Sequence, residues 1–508
     1  MTDYVKVTRR VAILCACLAA LSVTPADAAP RFGVAEDATK YAEDGGSAFY
    51  ARLRSLGMVE NRIAVRWNPV EPTEILERKF LDRAVPVAAR SGIRLVFDVF
   101  AIDPLAFGID TDTRATLFGA YLQKLARTYP QVTDYIVANE PNESYFWRPQ
   151  FGSAGEQVSA GAFLRVLTRA YDALKAVNPQ IRVIAAGLSG EGNDRTSTSP
   201  VRFLKALGDA YRRSGRTAPI MDALGFHVYP QRNTHPPSRR YAWPNAGGAD
   251  LARIKQAVWD AFGGTAQPTL PEGPAKPGAD ALGLVIGEFG WQVDIGAALA
   301  GRYTGRENVP TVSEAEQAQF YAELIQMLGC DPAVTDALLL HLLDDPDLGR
   351  FQTGLLRLDL SERPSYSAVR KAIAAARSCQ ALTSWTHATG VVGAQAIFGT
   401  RDHPASRAIF GISARAAEEA RAKAGIFRVG GRDAKPRRDE VARSLSRATR
   451  DAGAVLTTAK LVRAGHKPRL EFLGQLEPGY YAFGLRLVAT MNAERSRTFV
   501  SKVFRVGA

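Results

Sequence analysis

Eight short apolar runs, each followed by a stretch with helical spacing, recur between residues 31 and 380 and leave few folds open. The runs are Phe32 to Ala35, Arg62 to Trp67, Ile93 to Phe100, Thr133 to Ala138, Ile181 to Gly187, Ala223 to His227, Gly283 to Gly287 and Ala337 to Leu342. Between them apolar residues return every third or fourth position, as in Phe163, Val166, Leu167, Ala170, Tyr171 and Leu174, or Phe320, Leu324, Ile325 and Leu328. Pro130 and Pro179 stop helices just ahead of the next run, because a residue before proline is driven out of the α region. Strands alternating with helices predict a parallel sheet. Eight such units match a closed (β/α)8 TIM barrel with enlarged loops, such as the Pro- and Arg-rich stretch 230–245 and the Pro/Gly-rich stretch 263–283.

At 508 residues the chain exceeds one hydrophobic core, and after Thr383 the pattern changes. Ala408 to Ala414, Gly425 to Val429, Leu470 to Leu473, Tyr480 to Ala489 and Thr498 to Val506 read as short strands, the fourth alternating through Tyr481, Phe483, Leu485 and Leu487. They predict a small Ig-like β-sandwich over 385–508, following the barrel domain over 31–380. From residue 385 onward there are 22 Lys and Arg against 10 Asp and Glu, so this module carries nearly all of the net charge of +13. A basic exported module has two readings: attachment to acidic cell-envelope polymers or lipid, and a merely solvated basic surface. The second is preferred. No nucleic-acid motif is present, so a nucleic-acid partner is not expected.

The N-terminus has the pattern of a secretory signal over 1–28: Lys6, Arg9 and Arg10, an apolar core from Val11 to Val23, then Ala26, Asp27 and Ala28 for cleavage near Ala28. The core is short for a membrane span, although an uncleaved anchor is the alternative. The expected location is therefore secreted or associated with the cell envelope. Cleavage removes Cys15 and Cys17 and leaves Cys330 and Cys379, a pair expected to be bridged in an exported protein. Closing that loop stabilises the fold by roughly 4 kcal/mol in the chain-entropy model. No Cys/His cluster has metal-ligand spacing, and neither a metal nor a cofactor is expected.

The chemistry is expected at the strand ends. The run Tyr135 to Ala138 stops in Asn139, Glu140 and Pro141, and Leu284 to Gly287 stops in Glu288, Phe289, Gly290 and Trp291. In a parallel barrel both carboxyls emerge at the C-terminal mouth, the arrangement glycosidic bond cleavage requires. Strand two ends in Val65, Arg66 and Trp67, and strand six in Phe226, His227, Val228, Tyr229 and Pro230.

With these four motifs in order, residues 31–380 resemble the clan A glycoside hydrolases, nearest to family 39 and the family 5 cellulase-like enzymes. The resemblance implies that Glu140 is the acid/base and Glu288 the nucleophile of a retaining mechanism. It implies that Tyr229 hydrogen-bonds the nucleophile and that Asn139 contacts the sugar 2-hydroxyl. Arg66 is expected beside Glu288 to keep it ionised, while the Glu288 charge and partial burial keep Glu140 protonated. His227 is read as a contact to sugar or acid/base, against a purely structural role. Trp67, Trp147 and Trp291 are candidate sugar-stacking surfaces, Trp291 foremost. The eighth strand departs from the family, whose aromatic floor is replaced here by His341 or a Leu within Leu339 to Asp344. The downstream runs Phe351 to Leu356 and Arg363 to Tyr366 still match the family's closing segment.

The expected function is hydrolysis of a polysaccharide or oligosaccharide. A transglycosylase would use the same intermediate. A glycan-binding pseudo-enzyme is the alternative from another class, disfavoured because binding alone needs no such charge arrangement.

Overall fold

The computed structural model describes residues 30–379 except 109 and 274–280, then 385, 387, 395–399, 409–415, 420–430, 454–462, 469–473, 476–491, 493, 496–501 and 503–506. The signal segment, with Cys15 and Cys17, lies outside the described residues. Eight parallel strands pair in sequence order and close on themselves. They are β1 (Arg31–Ala35), β2 (Glu60–Trp67), β3 (Arg94–Ala101), β4 (Asp134–Val137), β5 (Arg182–Leu188), β6 (Ala223–His227), β7 (Gly283–Glu288) and β8 (Val334–Leu339). A helix of ten or more residues follows each strand, from Ser47–Leu56 after β1 to Pro364–Ala376 after β8. The helix Ser159–Val177 buries Phe163, Val166, Leu167, Ala170 and Leu174, the face its spacing predicted, and is capped by Asn178.

Strands β1, β2 and β8 begin earlier than their apolar runs, because charges that belong to the barrel's floor, Arg31, Glu60 and Asp336, hide their starts. The β8 strand runs Val334–Leu339 rather than Ala337 to Leu342, and the apolar residues beyond it leave the sheet. At the floor, Arg31, Glu60, Arg94, Asp134, Arg182 and Asp336 form a closed ring of alternating charge. Arg31 pairs with Glu60 (2.5 Å) and Asp336, and Arg94 with Glu60 (3.7 Å) and Asp134. Arg182 completes the ring to Asp134 (3.5 Å) and Asp336 (2.6 Å). The three carboxylates are buried while the arginines lie partly in solvent. Burial opposes ionisation of Asp336, but Arg182 and Arg31 hold its carboxyl well below the usual range. Glu60 is the weak member. Its Oε2 has no hydrogen-bond partner among the described residues, and burial with the Asp336 charge pushes its pKa up.

Above this ring Val96, Ile136, Ile184, Ala223 and Val285 form an apolar cluster separate from the main core. A disulfide joins Cys330 to Cys379, with Cα atoms 5.4 Å apart, and clips the end of the helix Glu314–Gly329 to the chain beyond the last barrel helix.

The C-terminal part is antiparallel. One sheet has three strands, β9 (Gln395–Gly399), β10 (Ile409–Arg415) and β13 (Arg469–Leu473). The other holds β11 (Ala420–Gly430), β12 (Ala454–Val462), β14 (Gly479–Ala489), β15 (Ser496–Val500) and β16 (Phe504–Val506). Tyr481, Phe483, Leu485 and Leu487 of β14 share a core with Leu470 of the opposite sheet, as in a sandwich. Sequence reading overlooked β9 and β12.

Arg182→Met would cut the ring at two links and leave Asp134 and Asp336 with one cation each. The expected loss is about 3–5 kcal/mol of unfolding free energy, measured by urea denaturation at pH 7. A loss under about 1 kcal/mol would show the ring to be dispensable.

Candidate active site

Glu140 leaves β4 on a loop whose backbone is left-handed at Ala138 (φ 66°) and at Glu140 itself (φ 40°). Such a conformation costs a non-glycine residue of order 1–3 kcal/mol, so the surrounding structure must enforce it. The Glu140 amide donates to the Gly187 carbonyl of β5 at 3.1 Å, one of the bonds that does so.

Strand alternation alone would turn Glu288 away from the barrel axis, because Val285 and Gly287 already face inward. A register shift between β6 and β7 passes over Gly287 and sets Glu288 directly beside His227. This bulge re-aims the side chain. His227 Nδ1 lies 2.8 Å from Glu140 Oε1 and 3.7 Å from Glu288 Oε2, so one nitrogen is shared by both carboxyls. The two oxygens can be no farther apart than those distances laid end to end.

The imidazole is fully buried against two glycines. A Cβ on Gly187 would come within 2.4 Å of Nε2, and one on Gly287 within 2.9 Å. Nε2 itself has no hydrogen-bond partner among the described residues. Burial opposes a charge on His227, but Glu288 and then Glu140 outweigh it and raise its pKa. Burial likewise pushes Glu288 up, yet His227, Arg62 and the Tyr229 hydroxyl together lower it to about 2. Tyr229 donates to Glu288 Oε2 at 2.6 Å.

The arginine against Glu288 is Arg62, not Arg66. Both face the same side of β2, but Arg66 lies four residues nearer the mouth, roughly 13 Å along a strand. There it is half exposed and pairs with Glu77 at 2.9 Å. Arg62 is buried and donates to Glu288, to Asp98 of β3 and, at 2.7 Å, to Asn139 Oδ1. Because Arg62 holds the acceptor end of Asn139, the amide nitrogen is the end left for the cleft.

Trp291 is not a stacking surface. It is 1% exposed, packs on Phe320 and Tyr321, and donates its indole N–H to the His235 carbonyl. Trp67 and Trp147 are equally buried, one on each side of Phe107. Their bulk made them look functional, but that bulk fills the space beneath the loops.

The cleft above the pair encloses about 1040 Å3 and is lined by Asn139, Glu140, Tyr229 and Glu288, with Leu340 and His341 on the β8 side. His341 Nδ1 bonds the Ala35 carbonyl at 2.9 Å, and Glu36 receives the Leu342 and Leu343 amides. Sequence reasoning missed Arg62 and Asp98, although each is a charge inside an apolar run. It also missed Glu143 on the Glu140 loop. Burial pushes Glu143 up to about 7, against a 2.5 Å hydrogen bond from Ser197 and with a further push from the Glu140 charge.

No protein-family model matches the chain, and no curated protein matches it. Among solved structures, a family 39 glycoside hydrolase from Bacteroides cellulosilyticus is 14% identical over 88% of this chain and 81% of its own, with a TM-score of 0.48. A GH5_18 protein from Streptomyces cattleya, solved with GlcNAc, is 17% identical over 69% of this chain and 81% of its own, at 0.46. A monomeric beta-xylosidase from Caulobacter crescentus is 15% identical over 88% and 94%, at 0.44. These neighbours are glycoside hydrolases, as the strand-end motifs suggested. At such scores they decide neither substrate nor mechanism.

The depressed Glu288 value makes a stability difference testable. A carboxyl lowered on folding adds stability above its ordinary value near 4.3, and that contribution fades as pH falls toward the folded value. Tyr229→Phe removes a hydrogen bond to a charge, worth about 1.5–3 kcal/mol. Urea unfolding from pH 5 to pH 2 should show the wild type's advantage over Tyr229→Phe shrinking as pH drops below about 4.3. An advantage constant across that range would mean that Tyr229 does not tune Glu288.

Proposed function

We propose that the protein is an exported retaining glycoside hydrolase. The observation that carries the reading is the single imidazole nitrogen shared by Glu140 and Glu288. It caps the separation of two of their oxygens at the lower edge of the about 6.5–9.5 Å range of inverting pairs, and a retaining pair at about 5–5.5 Å falls inside that cap.

In this reading Glu288, held ionised by His227, Arg62 and Tyr229, attacks the anomeric carbon of the bound sugar. Glu140 gives its proton to the glycosidic oxygen, so the leaving group departs as a neutral alcohol. The glycosyl–Glu288 ester then breaks when water adds at the same carbon, its proton returning to Glu140. Hydrogen-bonded to Glu140 and near Glu288, His227 faces one carboxylate charge at each stage, that of Glu288 before the attack and that of Glu140 once Glu288 is esterified. The Asn139 amide, oriented by Arg62, is available to the sugar 2-hydroxyl, where a hydrogen bond strengthens as the oxocarbenium-like state develops.

Export rests on the N-terminal sequence pattern and accords with a bridged cysteine pair. Transfer of the glycosyl group to a sugar instead of water would use the same ester.

Glu288→Gln should abolish turnover across a panel of aryl glycosides and polysaccharides. Glu140→Ala should lose about 10²–10⁴-fold on natural linkages and less on aryl glycosides with good leaving groups. Azide should partly restore Glu140→Ala and yield a glycosyl azide of retained configuration, read by NMR. A product of inverted configuration from the wild type would overturn the retaining mechanism. Tight glycan binding without turnover, unchanged in Glu288→Gln, would establish the binding-protein alternative.

A further inference from the structure

A second chamber adjoins the catalytic cleft. It encloses about 570 Å3 and is bounded by the chain from Pro230 to Thr234, by Gly290 and Gln292, and by Val309 and Pro310. Among the described residues, Tyr229 and Phe351 alone line both spaces, so these two side chains form the divide between them. The second chamber is within the volume range of ligand sites, and the cleft stands at its upper edge.

Phe351 belongs to the loop after β8. Its ring lies nearly parallel to Tyr229, with centroids 6.3 Å apart and planes 21° from each other, and it meets His341 edge-on at 6.2 Å. One face of Phe351 is thus turned to Tyr229, whose hydroxyl holds the nucleophile. The ring is nonetheless 44% exposed, so its other face is open to the cleft. Leaving a large apolar ring bare where two cavities meet costs hydrophobic stabilisation, and the C–H face of a sugar is a surface that would cover it. The three tryptophans near the mouth offer no such surface, being buried, and β8 supplies Leu340 and His341.

We propose that Phe351 is the platform over which a glycan chain passes between the chambers, and that the substrate is therefore an oligosaccharide with sugars in both. This rests on the glycosidase reading above. The ring's contact with Tyr229 also makes it a positioning residue for the nucleophile, through stacking that a sugar on its free face would reinforce.

The test compares the p-nitrophenyl monoglycoside that the wild type cleaves best with its di- and trisaccharide homologues. In the wild type kcat/KM should rise with each added sugar until both chambers are filled. In Phe351→Ala and in Phe351→Leu, which keeps apolar volume but no ring, the ratio of trisaccharide to monosaccharide kcat/KM should fall about tenfold, mainly through KM. Phe351→Tyr should retain that ratio. An active wild type with no gain from length, or a ratio that survives Phe351→Leu, would overturn the platform while leaving the glycosidase reading intact. A wild type inert on every glycoside would overturn both.

Discussion

The floor of the barrel is held by six charges in alternation, and the geometry of the mouth depends on that closure. Each carboxylate lies between two arginines and each arginine between two carboxylates, with members on β1, β2, β3, β4, β5 and β8. Arg31 and Asp336 are direct register partners, as are Glu60 and Arg94, and Asp134 and Arg182. A slip of one residue in any of these strands would turn its charge out of the barrel and an apolar residue into the ring. The ring therefore penalises wrong registers strongly, whatever its net stability. Arg182 spans the gap to β8, passing Gly283 of β7. Once register is fixed at the floor, the heights of Arg62 on β2 and Asp98 on β3 follow.

At the mouth the governing problem is a buried negative charge. Glu288 is taken from water, which on its own would protonate it, and three neighbours reverse that outcome. Arg62 also serves Asp98 and Asn139, so one guanidinium ties Glu288 to β3 and to the loop after β4. His227 ties it to Glu140. A change at any one of these groups reaches the others through a shared hydrogen-bond network, and their effects should not add.

Much of this was legible in the residues. Apolar runs at barrel spacing identified all eight strands, and the strand-end carboxyls pointed to one cleft. The Tyr229 hydroxyl meets Glu288, the contact the resemblance implied. The misreadings have physical causes. Arg66 stands at the end of its run, where the chemistry was expected, whereas the guanidinium that reaches Glu288 belongs to Arg62, deeper in the strand. Trp291 was given a ligand's place because an indole near a carboxyl suits sugar as well as it suits core. Phe351 was noted only as part of a closing segment, since nothing local says that a loop will fold back over Tyr229.

The sequence alone determined the alternation of strand and helix, the parallel barrel that follows from it, and the arrival of Glu140 and Glu288 at one cleft, because these depend on local periodicity and on residues at run ends. Tertiary structure decided which arginine meets Glu288, that Glu288 turns inward at all, and that one histidine nitrogen lies close to both carboxyls. Those outcomes rest on a register shift at Gly287, on left-handed backbone at Ala138 and Glu140, and on the depth of side chains within a closed barrel. Each is set by contacts between residues far apart in the chain, which local pattern does not encode.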